Sequence, residues 1–257
     1  EEILQALAGA SCAEGIWERS EGESRRLEGL RTASGLVSGR EPPEFIEIEE
    51  CGARFLVDVR AGHKTGFYLD QALNRRRTAA WMRGRRVLDC YGYTGGFTVH
   101  SLLSGAAFVE TVDSSGPSLE IAKRNLSLNG LSCGAMTCSD APSRLRAARS
   151  AGERFDAVIL DPPRFVSRHE HVIRAGRAYK DINMVALSIL PPGGILATFS
   201  CSGLVGVELF QKIVFEASVD AGRDVMVLER LGQPPDHPVL LSLPQGGYLK
   251  GLVCMAL

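Results

Sequence analysis

The chain has 257 residues, 45% of them hydrophobic, and a formal net charge of −1. This length suffices for one large domain with a small appendage, and the near-neutral charge argues against a polyanion-binding surface over the whole molecule. The sequence contains no apolar run near the roughly 20 residues of a membrane span. Its first residues also lack the basic start and apolar core of a signal sequence, so we expect a cytoplasmic protein without a membrane partner.

The seven cysteines are scattered over predicted strands and loops. Their number is odd, and their spacing does not match that of zinc ligands. We therefore expect reduced thiols, with neither a disulfide framework nor a metal site.

The first part of the chain predicts a small α+β domain at residues 1–73. Residues 1 to about 40 are polar and repeatedly interrupted by glycine, which predicts only short helical pieces. From Phe45 to Val59, apolar and polar residues alternate on both sides of Cys51-Gly52. This pattern predicts a β-hairpin.

After Asn74 the pattern predicts a second domain, residues 74–257, in which strands alternate with helices. Such alternation is typical of a doubly wound α/β fold with a mostly parallel, here seven-stranded, sheet. The last two strands are joined by a proline-bearing stretch without a helix, which predicts an antiparallel return at the sheet edge. The predicted strands are Arg86–Asp89, Phe108–Asp113, Ala135–Cys138, Ala157–Leu160, Ile195–Ser200, Val225–Arg230 and Gly247–Cys254.

A glycine-rich turn follows the first strand of this domain. Asp89 precedes the pattern Gly92-x-x-Gly95-Gly96, whereas a nicotinamide-binding turn presents backbone amides to a pyrophosphate. A carboxylate at Asp89 would repel phosphate but would suit the ammonium of a methionine moiety, and Gly95 and Gly96 allow close backbone approach. The turn therefore favours S-adenosylmethionine (SAM) over a nicotinamide dinucleotide.

Aspartates recur at the ends of successive strands: Asp89, Asp113, Asp140 and Asp161. A single such aspartate is usually a helix cap or a turn former. Asp113, however, follows Asp89 at the distance expected of a carboxylate that hydrogen-bonds a ribose diol. Because open parallel sheets bind ligands at the carboxyl ends of their strands, the four aspartates together predict a cofactor site there.

The sequence also predicts a reaction site beside this cofactor. Asp161-Pro162-Pro163 forms a rigid turn after an apolar strand, and Cys201 ends the next strand. Buried cysteines are commonly inert, but a thiolate here could add to carbon 6 of cytosine and activate carbon 5, with Asp161 assisting at the N3 edge. Because a free thiol has a pKa of about 8.5, the site should lower that pKa or supply a base.

Basic residues follow the proline turn and offer an entrance for RNA. The same residues could instead form an ordinary solvated helix face. They are Arg164, Arg168, His169, His171, Arg174, Arg177 and Lys180.

From about Trp17 to its end, the chain resembles the RlmI-type methyltransferases, which form 5-methylcytosine in 23S ribosomal RNA. The resemblance implies a Rossmann-like class I SAM-dependent methyltransferase, with ribosomal RNA as substrate and a homodimeric assembly. The matching segments are His63 through Gln71, Asp89 through Phe97, Asp161-Pro162-Pro163, Tyr179 through Asn183, Phe199 through Gly203 and Asp236-His237-Pro238.

The resemblance also implies roles for individual residues. Asp161 and Cys201 would be catalytic, and the segment from Lys64 to Gln71 would close over SAM. Asp89 would hold the methionine portion, Asp113 the ribose and Asp140 the adenine. The implied SAM contacts are Lys64, Thr65, Phe67, Asp89, Tyr91, Thr94, Gly95, Gly96, Asp113, Ser114, Asp140 and Asp161, and the implied substrate contacts are Pro162, Pro163, Arg164 and Lys180.

The chain departs from the family pattern in two ways. The family usually begins with a PUA RNA-binding domain, and this chain starts at or after the point where that domain should end, so RNA docking would rely on other surfaces unless the domain was removed. Arg164 stands where lysine is expected, which keeps the charge but changes the hydrogen-bond geometry.

Other readings of the reaction site remain open. No cysteine follows the Pro162-Pro163 turn, so Cys201 would act without a second thiol. A purine nitrogen methyltransferase could use the same scaffold and would not need Cys201. A SAM-binding protein that contacts ribosomal RNA without turnover is a further alternative.

Overall fold

The computed structural model describes residues 2–11, 13–20, 25, 28–132, 134–165 and 169–257. The chain forms two compact units. The first contains Glu1–Ile48 and Phe55–Tyr68, and the second contains Glu49–Arg54 and Leu69–Leu257. Within the described ranges, none of the helices has the length and apolar character needed to cross a membrane.

The first unit opens with helix α1 (Glu2–Ala10), followed by strands β1 (Gly15–Ser20) and β2 (Ala33–Gly39), which pair antiparallel. Helix α1 agrees with the expected short helical pieces, but the expectation that this region holds only such pieces is wrong, because β1 and β2 are strands. Gly15 and Gly39 are cross-strand partners, and a Cβ atom on Gly15 would lie 2.0 Å from the carbonyl oxygen of Arg40. These glycines permit close approach of two strands rather than breaking helices.

The predicted hairpin is confirmed. Strands β3 (Ile46–Glu50) and β4 (Ala53–Val57) form a two-stranded sheet. Cys51 and Gly52 between them have positive φ angles of 49° and 82°, as a two-residue turn of type I′ requires.

The second unit contains a seven-stranded sheet, and all seven predicted strands are present. Four neighbouring pairs are parallel, and the last strand is antiparallel to both of its neighbours. The predicted antiparallel return at the sheet edge is confirmed, because β10 is the edge strand and β11 pairs with it from the next position. The strands are β5 (Arg86–Cys90), β6 (Phe108–Asp113), β7 (Ala135–Cys138), β8 (Ala157–Leu160), β9 (Ile195–Ser200), β10 (Val225–Gly232) and β11 (Lys250–Ala256), in the order β10-β11-β9-β8-β5-β6-β7.

The strand order reverses at β5, with β6 on one side and β8 on the other. A crevice for ligands is expected beyond the carboxyl ends of these strands. The core is continuous around β8, whose four residues are all buried. The helices of this unit are α2 (Ala72–Ala79), α3 (Gly96–Leu103), α4 (Gly116–Leu128), α5 (Ala141–Ser150), α6 (Val172–Ile189) and α7 (Val207–Asp220), with short 3-10 turns at Leu69–Gln71, His169–His171 and Pro244–Gly246.

Candidate cofactor and reaction site

Asp89, near the end of the central strand β5, is a fully buried carboxylate with incomplete hydrogen bonding. Its Oδ2 accepts a bond of 2.6 Å from the hydroxyl of Thr98, whereas its Oδ1 has no hydrogen-bond partner among the described residues. Burial, with added repulsion from Asp161 and Asp113, raises the pKa of Asp89 to about 7. A buried carboxylate without a cation is costly. The site therefore suits a ligand that brings a positive charge to Asp89.

The turn after β5 has a constrained backbone. Tyr91 and Tyr93 have positive φ angles of 65° and 47°, a conformation that is costly for residues other than glycine. Gly92 packs so closely that a Cβ atom would lie 2.3 Å from Thr111 Cγ2. The hydroxyl groups of Tyr91 and Thr94 are buried and have no hydrogen-bond partner within the described ranges. Strain and unpaired polar atoms of this kind are typical of ligand-binding loops.

Gly95 and Gly96 carry this turn into helix α3. Gly95 has a left-handed φ of 81° and donates its N–H to the Gly92 carbonyl at 2.8 Å. Gly96 is the first residue of α3 and is buried. The turn therefore begins the helix directly above the carboxyl end of β5.

Asp113, the last residue of β6, connects that strand to the glycine turn. Its Oδ2 accepts the backbone N–H of Tyr93 at 2.9 Å, and its Oδ1 accepts that of Ser115 at 2.8 Å. Each carboxylate oxygen has a second lone pair. The half-buried side chain can therefore still accept hydroxyl groups such as those of a ribose.

Asp140 and Ser114 lie on exposed loops beyond β7 and β6. Asp140 caps helix α5 by accepting the backbone N–H of Ser143 at 3.0 Å. Hydrogen bonds from the side chain and then from the backbone of Ser143 lower the pKa of Asp140. The Ser114 carbonyl accepts the thiol of Cys138 at 3.7 Å. The structure thus gives Asp140 the role of a helix cap, and its contact with adenine stays a prediction.

Lys64, Thr65 and Phe67 belong to the first unit. Lys64 Nζ lies 4.5 Å from the ring centroid of Tyr68, and the ring of Phe67 packs 5.0 Å from that of Phe55. Lys64 and Thr65 also line a cavity within this unit. Their contact with SAM stays a prediction.

Asp161, directly after β8, is held by amide side chains. Its Oδ1 accepts a bond of 2.9 Å from Gln71 Nε2, and Gln71 Oε1 accepts one of 2.7 Å from Asn74 Nδ2. Gln71 and Asn74 are buried, so this chain of bonds fixes the carboxylate. Pro162 is buried beneath the turn, and Pro163 is exposed. The sequence analysis did not identify the role of Gln71, which it placed only within a shared segment.

Cys201 follows β9 and is half-buried. Because β8 and β9 are parallel neighbours, with Leu160 opposite Thr198, the chain places Asp161 and Cys201 at adjacent strand ends. Burial raises the pKa of Tyr179 to about 12, and the charges of Cys201 and Asp161 add to the shift. The structure therefore brings the two predicted catalytic groups within electrostatic range of one buried phenol.

Lys250, the first residue of β11, was not predicted as a site residue. Its side chain is buried, and its Nζ donates to the carbonyl oxygens of Ser202 and Val205, both at 2.5 Å. Burial lowers the pKa of Lys250 to about 8, although the charge of Cys201 acts in the opposite direction. Ionisable groups with strongly perturbed pKa values cluster at functional sites. A lone lysine inside the predicted apolar strand Gly247–Cys254 was the signal that could have found it.

The basic segment after the proline turn has mixed surroundings. Arg164, Arg174 and Arg177 are exposed. Lys180 instead forms an ion pair with Asp220 at 2.8 Å on the neighbouring helix. Arg168 and the side chain of His169 lie outside the described residues. A role of Arg164 and Lys180 in binding substrate stays a prediction.

Comparison with known proteins identifies the class. A family model described as S-adenosylmethionine-dependent methyltransferase matches residues 11–253. The chain belongs to this family, and its cofactor is SAM. The expected fold agrees with a solved methyltransferase-like protein in complex with SAH, which has a TM-score of 0.78 and 25% identity and aligns over 86% of this chain and 58% of that one.

Curated relatives are more specific. The ribosomal RNA large subunit methyltransferase I of Cronobacter sakazakii is 49% identical over 253 residues, which is 98% of this chain and 63% of the relative. The protein of the same name from Salmonella arizonae is 48% identical over 241 residues, 93% of this chain and 60% of the relative. These similarities confirm the resemblance seen in the sequence motifs. The chain spans less than two thirds of the length of these relatives.

Proposed function

We propose that this chain methylates carbon 5 of a cytosine in RNA, namely 23S ribosomal RNA, through a thiolate adduct of Cys201. The observation that carries the proposal is the placement of Cys201 and Asp161 at adjacent strand ends. The electrostatic interaction of Asp161 with the buried Asp89 supports a cofactor pocket next to that pair. The relatives named as large-subunit ribosomal RNA methyltransferases support the choice of RNA.

The residues of the second unit fit SAM. The unpaired Oδ1 of Asp89 would accept the ammonium of the methionine portion, and the lone pairs left on Asp113 would accept the ribose hydroxyls. Gly95 permits close backbone approach because its φ is already left-handed. When bound, SAM supplies an electrophilic methyl group.

In the proposed reaction, the thiolate of Cys201 forms a bond to carbon 6 of cytosine. The displaced electron pair moves toward N3, where Asp161 assists at the base edge and a proton from solvent neutralises the charge. Carbon 5 then has enamine character and becomes the nucleophile for methyl transfer. Solvent water then takes the proton from carbon 5, which expels Cys201 as thiolate, and the proton at N3 returns to solvent as the aromatic ring is restored.

The experiment combines the chain with SAM and unmodified 23S ribosomal RNA, followed by mass analysis of the nucleosides. Wild-type protein should form 5-methylcytosine. Cys201→Ala should form none while still binding SAM by calorimetry, because a small side chain outside the cofactor pocket is lost. The matched control is Cys138→Ala, which alters an exposed thiol at the end of β7 and should keep the activity.

Other products would point to other functions. A methylated purine nitrogen that persists in Cys201→Ala would support the purine nitrogen alternative. SAM binding without any methylated nucleoside would support a binding protein without turnover.

A further inference from the structure

We propose that Lys250 is the base that takes the proton from the thiol of Cys201 and so holds this residue in its thiolate form. The inference rests on the proposed function of Cys201 as the nucleophile. The proton moves from Cys201 Sγ to Lys250 Nζ, which leaves a thiolate beside an ammonium. The same transfer in reverse gives back the thiol and the neutral amine.

The fold ties Lys250 to both sides of Cys201. Its strand β11 lies antiparallel to β9, and Lys250 is the cross-strand partner of Ser200, the residue before Cys201. Its Nζ bonds the carbonyls of Ser202 and Val205, which belong to the segment after Cys201. The amine is thereby anchored to the segment that follows Cys201, and the charge of Cys201 acts to raise the pKa of Lys250.

Lys250 can gain or lose a proton and still keep its hydrogen bonds to the carbonyls of Ser202 and Val205. A neutral amine has two N–H donors and a lone pair, and an ammonium has three donors. The two carbonyl bonds of Lys250 can be kept in both states, so only the third position changes. The thiolate in turn offsets the cost of a buried ammonium.

The proton affinities of the two groups are also close. Burial lowers the pKa of Lys250 to about 8, and an ordinary cysteine thiol has a pKa of about 8.5. Transfer between such groups costs little in itself, so attraction between the resulting charges decides the position of the proton.

Other ionisable groups around Cys201 do not take this role. Tyr248, in the loop before β11, donates a hydrogen bond of 2.7 Å to Asp70. Burial, followed by this bond, raises the pKa of Tyr248. Burial also raises the pKa of Tyr179, to about 12, with Asp161 adding to the shift. Arg164 contributes by lowering the pKa of Lys250. Both phenols therefore stay protonated near neutral pH, where Lys250 titrates.

The test measures alkylation of Cys201 by iodoacetamide as a function of pH, without RNA or SAM, with peptide mass analysis to isolate this thiol. Wild-type Cys201 should titrate below the ordinary pKa of about 8.5. Lys250→Gln keeps N–H donors but removes the charge, and it should raise the midpoint by about one pH unit or more, with alkylation at pH 7 about tenfold slower. Lys250→Arg, which keeps a charge, should stay closer to wild type.

The controls are Lys212→Gln, at an exposed lysine of α7, and the exposed thiol of Cys138 in the same digest. The alkylation midpoint of Cys201 should be the same in Lys212→Gln as in wild type. The alkylation midpoint of Cys138 should be the same in wild type and in Lys250→Gln. An unshifted midpoint in folded Lys250→Gln would overturn the proposal. If that variant does not fold, a wild-type midpoint at or above about 8.5 would overturn it equally.

A kinetic experiment separates this inference from the proposed function. Lys250→Gln should lower kcat for RNA methylation more than it changes the RNA KM, and the rate should recover as the pH rises. A shifted titration together with full activity of Cys201→Ala would refute the proposed function but leave the thiol–amine pair intact.

Discussion

Two buried carboxylates of the second unit, Glu50 and Asp89, have opposite environments. Burial acts to raise the pKa of Glu50, but hydrogen bonds from Arg75 and His100 outweigh it, so the pKa lies below its ordinary value. Arg75 reaches Glu50 with two bonds of 2.7 Å, and His100 Nε2 lies 3.1 Å from the same carboxylate. Asp89 has a hydroxyl partner and one oxygen without a hydrogen-bond partner among the residues described, and burial raises its pKa.

The difference distinguishes a carboxylate that stabilises the fold, Glu50, from one that is available to bind a ligand, Asp89. Glu50, Arg75 and His100 pair with one another inside the protein. Arg75 also supports the glycine turn after β5, because a Cβ atom on Gly96 would lie 2.8 Å from Arg75 Cδ. Within the part of the chain that the structure describes, Asp89 has no cationic partner, so its charge is left for a ligand to neutralise. Complete pairing thus indicates a scaffold, and incomplete pairing indicates a binding site.

The largest effect is expected when the scaffold is broken. Arg75→Met should lower the free energy of unfolding by about 3–5 kcal/mol, because it leaves Glu50 buried without its main partner. Urea denaturation would measure the loss. The control Arg76→Met changes the exposed neighbour on the same helix and should cost less than about 0.5 kcal/mol. Equal stability of the two variants would remove the scaffold assignment.

A smaller effect is expected at the ribose position. Asp113→Ala should weaken SAM binding by about 1.5–3 kcal/mol, since charge-assisted hydrogen bonds would be lost. Titration calorimetry measures the affinity, and thermal unfolding checks that the variant is folded. Glu120→Ala, at an exposed residue of α4, is the control and should bind as wild type does. Unchanged affinity in folded Asp113→Ala would rule out the ribose contact.

The smallest effect concerns the pH dependence of stability. The pKa of Asp89 rises from 3.8 to about 7 on folding, so the folded protein retains a proton that the unfolded chain has lost in this pH window. Its contribution to stability therefore falls as pH rises from about 4 to 7. Between pH 5 and pH 7, the free energy of unfolding of the wild type should fall by about 1–3 kcal/mol relative to that of Asp89→Asn. Chemical denaturation at each pH would measure both. Parallel pH profiles would contradict the raised pKa.

The same variant tests binding. Asp89→Asn should also bind SAM less tightly at pH 7, because the carboxylate that would meet the ammonium is gone. A variant that gained relative stability and kept its affinity would show that Asp89 does not contact the cofactor.

The sequence predicted the sheet of the second unit well because its strands are short apolar runs bounded by turns, such as Ala157–Leu160, which is buried throughout. The prediction for β1 and β2 was wrong because repeated glycines occur both where a helix is interrupted and where two strands approach closely. The partner strand that decides between them lies elsewhere in the chain.

In the candidate site, too, features that depend on local sequence could be predicted, and features that depend on distant residues could not. Asp89, Asp161 and Cys201 could be placed because chain order alone assigns them to strand ends. The residues that hydrogen-bond to these segments could not be predicted. Gln71 lies 90 positions from Asp161 in the sequence, and Lys250 lies 48 positions from Ser202. Nothing local in the sequence distinguishes Asp140 as a cap from Asp140 as a ligand.

The most direct test of the central claim is covalent trapping of Cys201. RNA that carries 5-fluorocytosine at the target should become bound to the protein in the presence of SAM, because fluorine cannot leave carbon 5 as a proton does and the adduct cannot resolve. Peptide mapping should place the bond at Cys201, and Cys138→Ala should trap as wild type does while Cys201→Ala does not. Efficient methylation of RNA with no trapped complex, or a bond to any other residue, would contradict the account.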